Sequence, residues 1–148
     1  MFADLIRRLT APAPTRLPDP EARLALAALF VRIARADGQY AAAEVSRIDQ
    51  LLQTRYRLPV AEAAALRHDA ETLETEAPDT VRFTRAIKDA VPLDERVGVI
   101  EALWQVVLAD GARDHAEDTQ IRLVANLLGI NDRDSALARQ RVEARRRL

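Results

Sequence analysis

One stretch of sequence, LALAALFVRIARADG at residues 24–38, decides the fold. It is apolar on almost every side of a helix and is interrupted only by Arg32 and Arg35 before Asp37-Gly38. A helix with so little polar face is typically central and buried. Upstream, Asp19-Pro20 supplies a capping residue followed by proline at the first helical position. We therefore predict a buried helix from about residue 20 to the Asp-Gly turn.

A second stretch, VGVIEALWQVVLADG at residues 97–111, has the same pattern as the first: it is strongly apolar and ends in Ala-Asp-Gly. A shift of the sequence by 73 residues takes Asp37-Gly38 onto Asp110-Gly111 and Glu44 onto Glu117. In each copy an apolar helix ends at the turn, and an amphipathic helix with glutamate in its first turn follows. Two turns with matched flanks predict a pseudo-twofold internal repeat of one helical hairpin.

The rest of the chain also favours helix. Alanine occupies 28 positions, whereas glycine occupies 4 and aromatic residues make up only 4%. We predict one all-α domain over residues 1–148, with seven to eight helices in a bundle-like arrangement. A short N-terminal helix precedes a Pro-rich linker at 10–20, the helix at about 60–77 is expected to be solvated and outermost, and an Arg-rich tail covers 139–148.

Composition excludes several classes of function. The chain has no cysteine, so disulfides, zinc-thiolate sites and cysteine nucleophiles are excluded. A net charge of −1 provides no global attraction for nucleic acid, and no apolar run approaches the length of a membrane span. We therefore expect a cytoplasmic protein without nucleic acid as its partner.

The two Asp-Gly turns are the candidate site. A carboxylate at the end of a helix faces the negative end of the helix dipole, which is unfavourable unless a cation is close. Free carbonyls and converging carboxylates offer an all-oxygen environment, which suits Ca²⁺ or Mg²⁺. The candidate metal ligands are Asp37, Glu44, Asp110, Asp114 and Glu117.

A structural explanation of the same turns remains open. Asp114 and Glu117 have the spacing of a capping box. Ala41 stands at the equivalent capping position of the first copy, so we expect no such role for Glu44. The arginines expected to pair with the turn acids are Arg35, Arg47, Arg113 and Arg122. The turns are not EF-hand loops, because apolar residues or arginine occupy the earlier ligand positions.

These residues resemble the TerB-like family, named for a tellurite-resistance protein, and in particular its short stand-alone bacterial members. The resemblance spans roughly residues 20–132. The segments that carry it are Ala36-Asp37-Gly38 with Glu44, Arg82-Phe83-Thr84-Arg85, Glu101-Ala102-Leu103-Trp104, Leu108 to Gly111 with Asp114 and Glu117, and Ile121 to Gly129.

The resemblance implies an all-α fold of about seven helices, with acidic residues gathered where the two turns approach. It implies roles in tellurite resistance and stress response, binding of divalent metal, and protein partners in membrane-associated complexes, so peripheral attachment to the inner membrane is a further expectation. The family's acidic positions fall on the five candidate ligands and on Asp118. The chain departs from the pattern at Ala41, where the family usually has aspartate, and at His115.

We find no catalytic constellation and expect no enzymatic activity. His68-Asp69 lacks the earlier histidine ligand that metal-dependent phosphohydrolases require, and the serines lack partners for nucleophilic catalysis. Three hypotheses remain: a cation-regulated stress-response module, a purely structural protein–protein adaptor, and a metal-dependent hydrolase. The Arg-rich tail is either a solvated last turn or an anchor for an anionic partner.

Overall fold

The computed structural model describes residues 2–9, 19–77, 79–109 and 115–146. Within these ranges the chain forms eight α-helices, one short 3₁₀ helix and no strand, which confirms the all-α prediction. The α-helices are α1 (Ala3–Leu9), α2 (Asp19–Ala34), α3 (Ala42–Tyr56), α4 (Val60–Glu76), α5 (Thr80–Lys88), α6 (Arg96–Val107), α7 (His115–Leu127) and α8 (Asp132–Arg146), and the 3₁₀ helix, Leu93–Glu95, precedes α6.

Helices α2 and α6 form the centre, as their apolar sequences predict. Every residue of α2 from Ala25 to Val31 is buried, and α6 buries seven of its twelve residues, among them Trp104. Helix α4 packs along α2, α8 packs along α6, and the two central helices contact each other. The hydrophobic core thus runs through the middle of one bundle.

Helix α4 is not the fully solvated helix that the sequence suggested. It buries Ala63, Ala70 and Leu73 against its neighbours, while His68 and Asp69 face solvent. Two of the three buried residues are alanines, which contribute little hydrophobic signal but allow close approach of α2. The predicted outer position therefore holds for one face of α4 only.

Helix ends carry the expected turn chemistry. Gly38 and Gly129 adopt positive φ angles of 80° and 81°, in the left-handed region that glycine enters without steric cost. After Gly129, the amide of Ile130 donates to the carbonyl of Ala125 at 2.8 Å, as in a Schellman motif. At the end of α3 the same conformation is taken by Arg57, at φ 53°.

The described part of the Arg-rich tail belongs to α8, and three of its arginines are paired with glutamates. Arg141 and Arg145 bind Glu101 of α6, with N···O distances of 2.7 and 3.1 Å, and Arg139 pairs with Glu143 at 3.3 Å. The two contacts with Glu101 attach the last helix to α6. Residues 147–148, and residues 10–18 of the predicted linker, lie outside the described residues, and Asp19 and Pro20 already belong to α2.

Candidate metal site at the acidic turns

The first acidic turn follows α2 and is closed by local hydrogen bonds. The amide of Gly38 donates to the carbonyl of Arg35 at 3.0 Å. Oδ1 of the half-buried Asp37 accepts the amide of Gln39 at 2.8 Å, so this carboxylate organises the turn in which it sits. Its other oxygen is not used in that bond, and Asp37 therefore combines a structural role with capacity to accept another donor or a cation.

Glu44 is buried at the third position of α3, with 1% of its surface exposed. Its Oε1 accepts the amide of Ala41 at 3.1 Å, which is the reciprocal half of a capping box. The expectation that Glu44 has no capping role was therefore wrong. A capping box has two hydrogen bonds, and only the one accepted by the capping side chain needs an oxygen on that side chain. The bond accepted by Glu44 needs only a backbone N–H, which Ala41 supplies.

The second turn is described only from His115 onward, so the predicted ligands Asp110 and Asp114 lie outside the described residues. Glu117 is described and is buried, with 3% exposure, at the third position of α7. Glu117 and Glu44 thus occupy the same place in their helices. Both also interact with other groups of the chain, so neither carboxylate is isolated.

The described residues alone do not form a metal centre. Among them, no group of three or more histidine, aspartate or glutamate side chains is placed to hold an ion. Asp37, Glu44 and Glu117 provide carboxylate oxygens, the donors that Ca²⁺ and Mg²⁺ prefer. The donor type therefore fits, and a complete ligand set needs contributions from the second turn.

Among the described residues, the arginines near the first turn bind α4 and not the acids of the turn. Arg35 was expected to pair with a turn acid; its Nη1 instead donates to Oε2 of Glu74 on α4 at 2.8 Å, and Nε of Arg32 approaches Oε1 at 3.3 Å. The same guanidiniums donate to backbone carbonyls of Glu71, Glu74 and Ala77 at 3.1–3.5 Å. Arg32 of α2 and Arg35, directly after α2, thus bind the C-terminal end of α4.

A polar layer continues from this cluster along α4. The guanidinium of Arg35 lies 5.0 Å from the centre of the Tyr40 ring. Burial, followed by the nearby carboxylate of Glu71, raises the pKa of Tyr40 well above its ordinary value. Arg67 binds Asp49 of α3 at 2.6 Å and Glu71 at 3.2 Å, which connects α3 to α4.

This network was not predicted, although the sequence contains a signal for it. An arginine on an otherwise apolar helix needs an acidic partner, and α4 is the segment richest in acids near α2. Of the other arginines expected to pair with turn acids, Arg122 is exposed on α7 and Arg113 lies outside the described residues. Arg47 forms no ion pair within the part of the chain that the structure describes.

Comparison with known proteins identifies a family. The family model for "Tellurite resistance protein TerB" matches residues 23–140. The match covers most of the chain and extends beyond the predicted segment at 20–132 into α8. No curated protein and no solved structure matches the chain.

Proposed function

The chain belongs to the TerB tellurite resistance family, and from this premise we propose that it is a non-enzymatic helical module that binds a divalent cation. The ion would be Ca²⁺ or Mg²⁺, held between the two acidic turns. Its ligands would come from Asp37 and Glu44 on one side and from Asp110, Asp114 and Glu117 on the other. The module would act in tellurite resistance or stress response through a protein partner, which we place in a membrane-associated complex.

The observation that supports this proposal is the matched burial of Glu44 and Glu117. Glutamate is rarely buried in proteins unless its charge is compensated by a partner or a metal. Here two glutamates are buried at the third position of the helix that follows each turn. Both glutamates already interact with other groups of the chain, and a cation between the turns would add to the compensation of their charge and would connect the two hairpins.

A second candidate function is supported by the hydrogen bonds of the first turn. Asp37 accepts the Gln39 amide and Glu44 accepts the Ala41 amide. Each carboxylate therefore has a role in local structure that requires no ion. In this alternative the turns only hold the helices, and the module is a protein–protein adaptor without metal.

A titration with divalent cations separates the two candidates. A ligand that binds only the folded state stabilises it by RT ln(1 + [L]/Kd), about 2.7 kcal/mol when its concentration is about 100 times Kd. We expect Ca²⁺ or Mg²⁺ at millimolar concentration to raise the melting temperature and to shift the NMR signals of Gly38 and Gly111. The adaptor alternative predicts no change in either quantity.

Variants locate the effect. The double substitution Asp37→Asn with Asp110→Asn should abolish the stabilisation, because it removes one carboxylate from each turn. The matched control is Asp69→Asn with Asp89→Asn, which changes two exposed aspartates that belong to neither turn and should retain the response. A cation response that survives the first pair of substitutions contradicts the proposed site.

The absence of catalysis is a separate part of the proposal. We expect no hydrolysis of a panel of phosphoesters in the presence of Mg²⁺ or Mn²⁺. Cation-dependent hydrolysis that disappears with the Asp37→Asn and Asp110→Asn pair would instead support the metal-dependent hydrolase.

A further inference from the structure

A basic pocket lies between α3, α6 and α8. It has a volume of about 260 Å³ and is lined by Arg47, Gln105, Val142 and Arg145. Two of the four side chains are guanidiniums and one is an amide, so the lining is rich in hydrogen-bond donors. None of these residues is among the candidate cation ligands.

Arg47 stands apart from the other half-buried arginines of the bundle. Arg32, Arg35 and Arg67 each bind a carboxylate, whereas Arg47 forms no hydrogen bond, ion pair or ring contact with any residue that the structure describes. A guanidinium carries five N–H donors and is charged at all physiological pH values. Arg47 is half-buried and lines the pocket, so its donors are available there to an acceptor from outside the chain.

Arg145 is held at the pocket by its contacts with α6 and α8. Its Nη2 donates to Oε2 of Glu101 at 3.1 Å, and its Nε donates to the carbonyl of Arg141 at 3.3 Å. Oε1 of Glu101 accepts Nε of Arg141 at 2.7 Å. Because two arginines share this carboxylate, the cluster keeps a net positive charge beside the pocket.

We propose that this pocket binds an oxyanion of the phosphate class. Arg47 and Arg145 provide charge-assisted hydrogen bonds, Gln105 provides a neutral donor, and Val142 forms an apolar wall. The pocket is larger than one phosphate group, so it also accommodates an organic group attached to the anion. The anion is either free in solution or carried by a lipid headgroup.

Binding is measured by calorimetry and NMR with three probes: sodium phosphate, sodium tellurite, and vesicles of phosphatidylglycerol with phosphatidylcholine. Arg47→Gln should weaken binding by about ten- to a hundredfold, the loss typical of one hydrogen bond to a charged group. Arg145→Gln should also weaken it, and Arg141 would still hold Glu101. Arg133→Gln on α8 is the matched control, since this arginine is exposed and outside the pocket, and should change nothing.

The probes identify the source of the anion. Binding of phosphate or tellurite that Arg47→Gln weakens supports a free oxyanion, and binding of anionic vesicles alone, with the same sensitivity, supports a headgroup. Absence of binding to all three probes overturns the proposal. Binding that both pocket variants retain at full strength, with unchanged melting temperatures, also overturns it.

Discussion

Replacement of Glu74 by alanine tests the polar cluster that joins α2 to α4. The Glu74 side chain is 14% exposed, and its two oxygens receive Arg32, 15% exposed, and Arg35, 33% exposed. Removal of one partner from a buried ion pair costs about 3–5 kcal/mol, whereas exposed pairs contribute up to about 1 kcal/mol. The Arg32 pair lies near the buried limit, and the Arg35 pair lies between the two limits.

The expected loss is reduced by contacts that the substitution leaves in place. Both guanidiniums keep backbone carbonyl acceptors on α4, and Arg32 also keeps the face of the Phe83 ring, 5.3 Å from its centre. We therefore expect Glu74→Ala to lower the free energy of unfolding by about 2–3 kcal/mol, between the two limits for ion pairs. This is a large share of the stability of a domain of this size.

Urea unfolding followed by circular dichroism measures this loss. The control is Glu76→Ala, an exposed glutamate on the same helix, which should change the free energy of unfolding by less than about 0.5 kcal/mol. A Glu74→Ala variant within that same margin of the unmodified protein would refute the argument. It would show that the arginines rely on backbone carbonyls alone.

Three further predictions concern single groups. Arg57→Gly should raise the free energy of unfolding by about 0.5–1 kcal/mol, because glycine removes the cost of a left-handed residue; a lower urea midpoint would contradict this. Burial raises the pKa of Glu101, but hydrogen bonds from Arg141 and Arg145 outweigh this effect and leave the pKa below its ordinary value. The stabilisation that ionised Glu101 contributes is therefore complete above about pH 4.3 and is lost as pH falls through the folded-state pKa. Glu101→Gln should therefore lose less stability between neutral and acidic pH, and an equal loss would exclude this role. Burial raises the pKa of both tyrosines, Tyr40 and Tyr56, so ultraviolet titration of the folded protein should show ionisation only above the ordinary value of 10.0, with a return to that value in urea. Their stabilisation is complete below pH 10.0 and is lost as pH rises further; ionisation at the ordinary pKa in the folded state would contradict the burial.

The fold was predictable because the sequences of its two central helices are apolar on nearly all sides. A segment that is apolar on all sides has to be surrounded, and the Asp-Gly and Gly129 positions mark where the chain turns. The predicted start of α2 at about residue 20 and the predicted range of α4 at about 60–77 agree with the structure to within about one residue. The buried face of α4 was not predicted because it consists largely of alanine. Alanine occurs on exposed helix surfaces as well as on buried ones, so it does not indicate which face is buried.

The positions of the candidate site residues were predictable from the sequence, but the contacts around them were not. Asp37, Glu44 and Glu117 follow from turn chemistry and from the spacing between the two stretches. The partners of Arg32 and Arg35 lie 42 and 39 residues away along the chain, on a helix whose orientation no local pattern specifies. The internal repeat remains a prediction, and the equivalent burial of the two glutamates is in keeping with it.

The anchoring of Arg35 on α4 has a consequence for any ligand of the first turn. The first turn begins directly after Arg35, and the Gly38 amide closes it by donating to the carbonyl of Arg35. Beyond the turn, the Tyr40 ring lies beside the guanidinium of Arg35. The segment is thus preorganised by tertiary contacts. A ligand that meets Asp37 has little chain entropy to remove, and its affinity depends chiefly on the charges it finds there.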